Sequence, residues 1–265
     1  MAGVSSSLAR NRKAITRIVV LAAAIIVIVA AGGVALLLHT AGTVDKAHID
    51  EERALISTYV REREHDLVGQ IISASVWDEA YLRLGEQPDP NWADLYVGSY
   101  FATYMRHAAS FVLDEDGRAL YAWRDGERID NAAAASFLRQ TTPLVVKLRE
   151  LERDRGAARR RGVAGSIIKT GVVIDAGQVY MVAVSNIVPE TAAVRARPGA
   201  DHLLVSARRL DATFLEHLHR DMHIASARLA IGPRTDAVPN LPIADVSGRT
   251  VASLIWTPRK PSAEI

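Results

Sequence analysis

IVVLAAAIIVIVAAGGVALLL, residues 18–38, decides how the rest of the chain is read. Its 21 residues include no charge, Asn, Gln or Pro. At a helical rise of ~1.5 Å per residue the run spans ~31 Å, matching the ~30 Å hydrocarbon core of a bilayer. The stretch predicts one transmembrane helix, Ile18–Leu38, with a large domain on one side. Residues 1–17 carry Arg10, Arg12, Lys13 and Arg17 and no acid, whereas HTAGTVDKAHIDEER, just beyond the run, mixes both signs. That asymmetry keeps the N-terminus in the cytoplasm and sends the main domain outward. A cleaved signal peptide is the competing reading. Its apolar region usually runs only ~7–15 residues, and here His39 stands where a cleavage site prefers a small side chain, so an uncleaved anchor is favoured.

The charge balance divides at this helix. The chain holds 32 Lys+Arg against 30 Asp+Glu, but residues 1–44 contribute four bases and no acid, leaving 28 against 30 for the remainder. The basic character therefore belongs to the tail, and nothing supports nucleic acid as a partner. With no cysteine, the exported part has neither disulfides nor thiol chemistry.

Beyond the anchor, a long helix is predicted over residues 43–75, with Ile56, Val60, Leu67, Ile71 and Ala74 on one face and REREHD, residues 61–66, on the solvated one. Such a thin stripe needs a partner: either a second copy, giving a parallel homodimer, or the chain's own domain. Val76–Leu84 continues as helix and is ended by GEQPDP at Gly85–Pro90. A second helix follows over Asn91–Arg106, with Trp92, Tyr96, Tyr100 and Tyr104 at every fourth position. Strand rhythm then begins with a hairpin, Ala109–Leu113 and Ala119–Trp123, turned at Asp116-Gly117. Asn131–Arg155 is helical in pattern. Ser166–Ile174, Gln178–Val184 and Leu203–Ala207 read as strands, Leu210–His219 as a short helix capped at Asp211, and Ser226–Ile231 and Thr250–Trp256 as final strands around a Pro-rich loop. The expected class is α+β, with a mainly antiparallel sheet of about five or six strands.

No GxSxG, GxGxxG, P-loop or HExxH motif is present, so no cofactor and no catalytic residue is expected. HLHRDMH offers His217, His219 and His223, but no further ligand at convincing spacing completes a metal site. Asp114, Asp116 and Gly117 fit a hairpin turn better than a calcium loop. The basic run Arg153–Arg161 reads as a solvated loop or a surface for anionic partners. The densest anomaly is aromatic: 7 of the 15 aromatic residues lie between Trp77 and Tyr104. Trp77 and Tyr81 share a helix face beside Asp78, a combination suited to a cationic ligand through charge and cation–π contact. With Tyr100 and Tyr104 they form the candidate ligand site. The alternative is an aromatic core cluster in which Asp78 caps locally or pairs with Arg83 or Arg106.

VWDEAY (76–81), YFATYMRHAASFVLDEDGRALYAW (100–123), QVYMVAVSNIVPE (178–190), LLVSARRLDATFLEHL (203–218) and VSGRTVASLIWTPRKP (246–261) occur in an order that resembles the CHASE family of extracellular sensory domains, in its fourth subtype. The resemblance implies a bacterial periplasmic sensor with a PAS-like or Cache-like domain, here residues 76–261, set in the inner membrane. Such domains usually lie between two membrane helices and control a cytoplasmic output, often a GGDEF or EAL enzyme of cyclic-di-GMP signalling or a histidine kinase. In that family the segment matching Trp256–Pro261 leads into a second membrane helix. Here only residues 262–265 follow, and the expectation is a truncated or split gene product acting through a separate output protein. The expected partners are the lipid bilayer, a small-molecule ligand, a second copy and that output protein. A cell-envelope structural or assembly protein is the alternative function.

Overall fold

A computed structural model of the chain describes residues 3–155, 160–234 and 238–259, with the backbone alone at 3–20, 22, 34–35, 37–38 and 41–42. The contacts divide it into a unit of residues 1–51 and 259–265 and a unit of Glu52–Pro258. Helix α1, Gly3–Ser75, begins in the first unit and ends in the second. Along the described part of the apolar run, Leu21, Ile25, Ile26, Val27, Ile28, Val29 and Leu36 are all exposed. Among the described residues, no helix is long and apolar enough to cross a membrane. The expected span Ile18–Leu38 lies partly outside them, since eight of its side chains are not described.

The second unit is built on a six-stranded antiparallel sheet in the order β3-β2-β1-β6-β5-β4. Its strands are β1 Ala109–Leu113, β2 Ala119–Arg124, β3 Glu127–Arg128, β4 Ile168–Asp175, β5 Gln178–Asn186 and β6 Leu203–Arg209. β4 and β5 form a hairpin whose turn puts Ala176 at φ 48° and Gly177 at φ 73°. Two successive positive φ values are what a tight hairpin needs to follow the twist of its strands. Side chains alternate across the sheet. Phe111, Tyr180, Val182, Val184 and Val205 meet Phe137, Leu144 and Leu148 of α5, Asn131–Arg155, on one face.

The other face belongs to α1. Ile56, Leu67, Ile71 and Ala74 are buried, and α1 reaches the sheet through Ser75 Oγ to Ser185 Oγ at 2.9 Å and through the Glu64 carboxylate, which accepts from Thr170 Oγ1. The stripe predicted to face either a second copy or the chain's own domain is thus covered by its own sheet. Val60 is only half-buried, and Tyr59, the more buried neighbour, takes the place the spacing gave it. Each fully buried Ile or Leu contributes roughly 1.5–3 kcal/mol.

Three further departures have physical causes. Gly85 does not stop the helix after α2, Asp78–Tyr81; a π-helical turn, Leu82–Glu86, carries the chain on. The helix predicted over Asn91–Arg106 is α3, Pro90–Ala93, a π-helical segment Asp94–Ser99, and α4, Tyr100–Met105. The wider turn breaks the every-fourth aromatic stripe into two pairs, Trp92 on Tyr96 with centroids 4.6 Å apart and Tyr100 by Tyr104 at 5.2 Å. Finally, the closing strands do not join the large sheet. β7 Arg228–Ile231, β8 Asn240–Ala244 and β9 Thr250–Ile255 form their own sheet in the order β7-β9-β8. β8 occupies the expected Pro-rich loop, where Pro242 is tolerated because β8 is an edge strand. This small sheet holds α1 through Arg53 Nε to the Asn240 carbonyl at 3.3 Å and through Trp256 Nε1 to Glu52 Oε2 at 2.7 Å, both ends of the latter buried. Between α5 and β4 lies the short α6, Gly162–Gly165, and α7, Ala212–Met222, follows β6. Asp211 caps α7 as expected, accepting from the Thr213 and Phe214 amides at 3.0 and 3.2 Å.

The π-helical segment sits against β2 because Gly98 lets it. A Cβ there would lie 2.5 Å from the Trp123 ring and from Tyr121 Oη. Replacing Gly98 by Ala is expected to cost about 1–3 kcal/mol of overpacking, read as a lowered urea midpoint of the full chain in detergent, whereas an unchanged midpoint would show that the segment is free to move off β2.

Candidate functional site

The residues singled out from the sequence are placed in three different settings. Trp77 packs with Trp92 and Tyr96, centroids 5.2 and 5.6 Å away, in a half-exposed aromatic group. Asp78 does not face these rings as a free charge. Its carboxylate accepts from the Glu190 and Thr191 amides at 2.8 and 3.0 Å and from Thr191 Oγ1 at 2.5 Å. Burial acts to raise its pKa, but these hydrogen bonds outweigh it and hold the carboxyl below its ordinary value. Tyr81 is buried, and its hydroxyl accepts from the Arg197 amide at 2.9 Å. Tyr100 and Tyr104 are exposed.

Asp78 and Tyr81, one turn apart on α2, therefore clamp the connection between β5 and β6. The same stretch is stitched on by Val188 N to the Ser75 carbonyl at 2.8 Å and by a parallel bridge between Val76 and Val188. VWDEAY works here as the joint where α1 ends and the β5–β6 connection begins. The basic run is likewise partly structural. Arg160 binds the buried Asp201 carboxylate, which also accepts from Asn186 Nδ2 at 2.9 Å; residues 156–159 lie outside those described. His219 Nδ1 bonds to the Ile224 carbonyl at 2.9 Å, and among the described residues no group of three His, Cys, Asp or Glu could hold a metal ion.

A cavity of ≈ 660 Å³ opens elsewhere, between α1, α4, the start of β1, the end of β6 and α7. Its apolar walls include Tyr59, Met181, Leu210 and Phe214, with the Tyr59 and Phe214 rings 5.6 Å apart. Of the ligand site expected from the sequence only Tyr104 lines it, and from the HLHRDMH segment His217 does. Four arginines line it as well: Arg63 from α1, Arg106 at the left-handed end of α4, and Arg208 and Arg209 at the end of β6. Arg208 donates Nε and Nη2 to the Met105 carbonyl at 3.1 and 2.7 Å. Burial pulls its pKa below the ordinary arginine value, and the Arg63 and Arg106 cations push the same way against Asp66 and Tyr59.

None of these arginines was expected as a binding residue, Arg106 having been weighed only as a partner for Asp78, although a signal existed. β6 alternates its faces, so Leu204, Ser206 and Arg208 share the side turned to α1, and a cation at an inward position of a buried strand stands out.

His107, at the cavity's inner wall, joins the layers. Its Nδ1 lies 2.5 Å from Ser206 Oγ, and its Nε2 lies 2.8 Å from Gln70 Oε1 on α1. The Gln oxygen can only accept, so Nε2 carries the proton and Nδ1 accepts from Ser206. Burial, reinforced by Arg208, lowers its pKa to about 3, so the imidazole is neutral.

The CHASE4 domain model matches residues 61–230, and the chain belongs to this family of extracellular sensory domains, a class without catalytic activity. The match begins in α1 beside the cavity and ends in β7. No curated protein matches the sequence.

The neutral histidine gives a pH signature with a definite sign. As pH falls below 6.5, the ordinary histidine value, the unfolded chain takes up a proton that the folded chain refuses until about pH 3. Stability from this site is thus greatest above pH 6.5 and falls by about 1.4 kcal/mol per pH unit through that window. In urea unfolding at stepped pH, His107→Gln is expected to lose stability less steeply than the parent between pH 6 and pH 4 by about that slope; identical slopes would place the histidine in water.

Proposed function

We propose that this chain is the ligand-sensing part of a membrane-anchored signalling protein, with residues 1–17 in the cytoplasm, Ile18–Leu38 in the inner membrane and Glu52–Pro258 in the periplasm. The observation that carries this reading is that α1, the helix containing the apolar run, also supplies a wall of the arginine-lined cavity through Tyr59 and Arg63. A molecule entering the cavity touches the element that leads towards the membrane. Family membership supports the sensing role and the extracytoplasmic site of the domain. The exposed aliphatic side chains from Leu21 to Leu36 support lipid contact.

In this scheme the ligand favours one of two arrangements of α1 against the sheet, limited by its difference in affinity for them. The output is a cytoplasmic cyclic-di-GMP enzyme or histidine kinase. Because the sheet covers the Ile56–Ala74 stripe, a second copy would associate along the earlier part of α1, where Val44 and Leu55 are exposed. The domain boundaries that accompany this reading are 18–38 for the anchor, 43–75 for the relay helix and 76–261 for the sensor.

The absence of cysteine makes the topology directly testable. In bacterial cells with a permeabilised outer membrane, a membrane-impermeant maleimide is expected to label Leu95→Cys at once and Ser5→Cys only after lysis. Labelling of both, or of Ser5→Cys alone, overturns the proposed orientation.

A further inference from the structure

The charges around the cavity do not cancel. Arg209 pairs with Asp125 at 2.5 Å and Arg63 with Asp66 at 3.2 Å. Asp211, the other acid lining the cavity, is occupied in capping α7. That leaves Arg208 and Arg106 with no carboxylate partner among the described residues. Arg208 is half-buried and spends two of its N–H groups on a neutral carbonyl, so its charge is desolvated with no ion pair of its own; Asp66, whose field reaches it most strongly, is paired with Arg63. Even the paired arginines keep a donor in reserve: Arg63 Nε and Arg209 Nε are buried and make no hydrogen bond among the described residues.

Native proteins rarely leave buried donors unpaired, and an uncompensated buried cation is costly. A cluster of guanidinium forks around a cavity is suited to a planar anion with two oxygens, which can accept paired N–H bonds. Water alone would satisfy donors but not charge. Behind the arginines stand Tyr59, Phe214, Leu210 and Met181, which offer apolar surface to the rest of a ligand.

We propose that the cavity binds a small organic carboxylate, its head held by Arg208 and Arg106 and its hydrocarbon body against Phe214 and Leu210. The proposal rests on the sensor reading and names the ligand class of that site. It replaces the cationic ligand expected from the sequence near Trp77, because Asp78 is committed to the β5–β6 connection while the unpaired charge in the cavity is positive.

The full chain in detergent serves for the test, with benzoate, acetate, inorganic phosphate and benzylamine as probes in thermal shift and titration calorimetry. Benzoate is expected to raise the melting temperature in a saturable way, acetate less, and benzylamine not at all. Arg208→Gln keeps donors and removes the charge, so without probe it should melt no lower than the parent, while benzoate binds it at least about tenfold more weakly. Should Arg208→Gln fail to fold, Arg106→Gln, an exposed site with no partner to lose, is expected to weaken benzoate by a similar factor. Trp77→Ala should leave benzoate binding unchanged.

No benzoate binding to the parent, or binding to both arginine variants as tight as to the parent, overturns the proposal. Phosphate binding as tightly as benzoate overturns the carboxylate-and-hydrocarbon assignment. Benzylamine binding that Trp77→Ala abolishes overturns the anion class yet leaves a ligand sensor standing. The sensor reading itself fails separately, on the maleimide topology.

Discussion

A sheet with two apolar faces needs two covers, and here the covers have different lengths and different fates. α5 begins and ends within the domain, whereas α1 covers the opposite face only with its last third. Because Ile56, Leu67 and Ile71 are fully buried, the core cannot form without this part of α1. The helix that leads out of the domain is therefore part of its core. That helix runs without a break from Gly3 to Ser75.

Polar groups make that packing directional. Apolar contacts tolerate small slides along a helix axis, but hydrogen bonds within a dry interface do not. Glu64 to Thr170, Gln70 to His107 and Ser75 to Ser185 lie at successive heights along α1 and fix its register on three strands or strand ends. His107 is central to this ladder, since the same ring meets α1 on one side and β6 on the other, with the Phe101 ring 4.7 Å away. Next to it Arg208 ties β6 to the end of α4. The cavity thus adjoins the rungs that set the helix's position, and a filled cavity would act on them through short contacts.

Much of the architecture could be read from the sequence because its signals were local. Asn131–Arg155 showed its full helical extent through periodicity, even across Pro143, and the Asp116-Gly117 turn announced its hairpin. What escaped depended on distant partners. The second π-helical segment, Asp94–Ser99, lies where Gly98 nests against Trp123, 25 residues further on, and no helical repeat encodes that. Strand β8 was hidden by Pro242, which a strand accepts only at an edge, and edges are defined by topology. The stripe on α1 was legible, but which surface covers it was not. At the site, the aromatic density around Trp77 drew attention to a joint, while the arginines of the cavity come from three separate elements and look like ordinary surface charge in the linear sequence.

The hydrogen bond between Trp256 and Glu52 joins two points 204 residues apart, one near the start of the Glu52–Pro258 unit and the other near its end. It closes almost the whole unit into a ring, with entry and exit side by side. A rotation of α1 at Glu52 must drag the exit strand with it or break a buried bond. The two ends of the unit are thus tied directly to each other, and not only through the sheets between them.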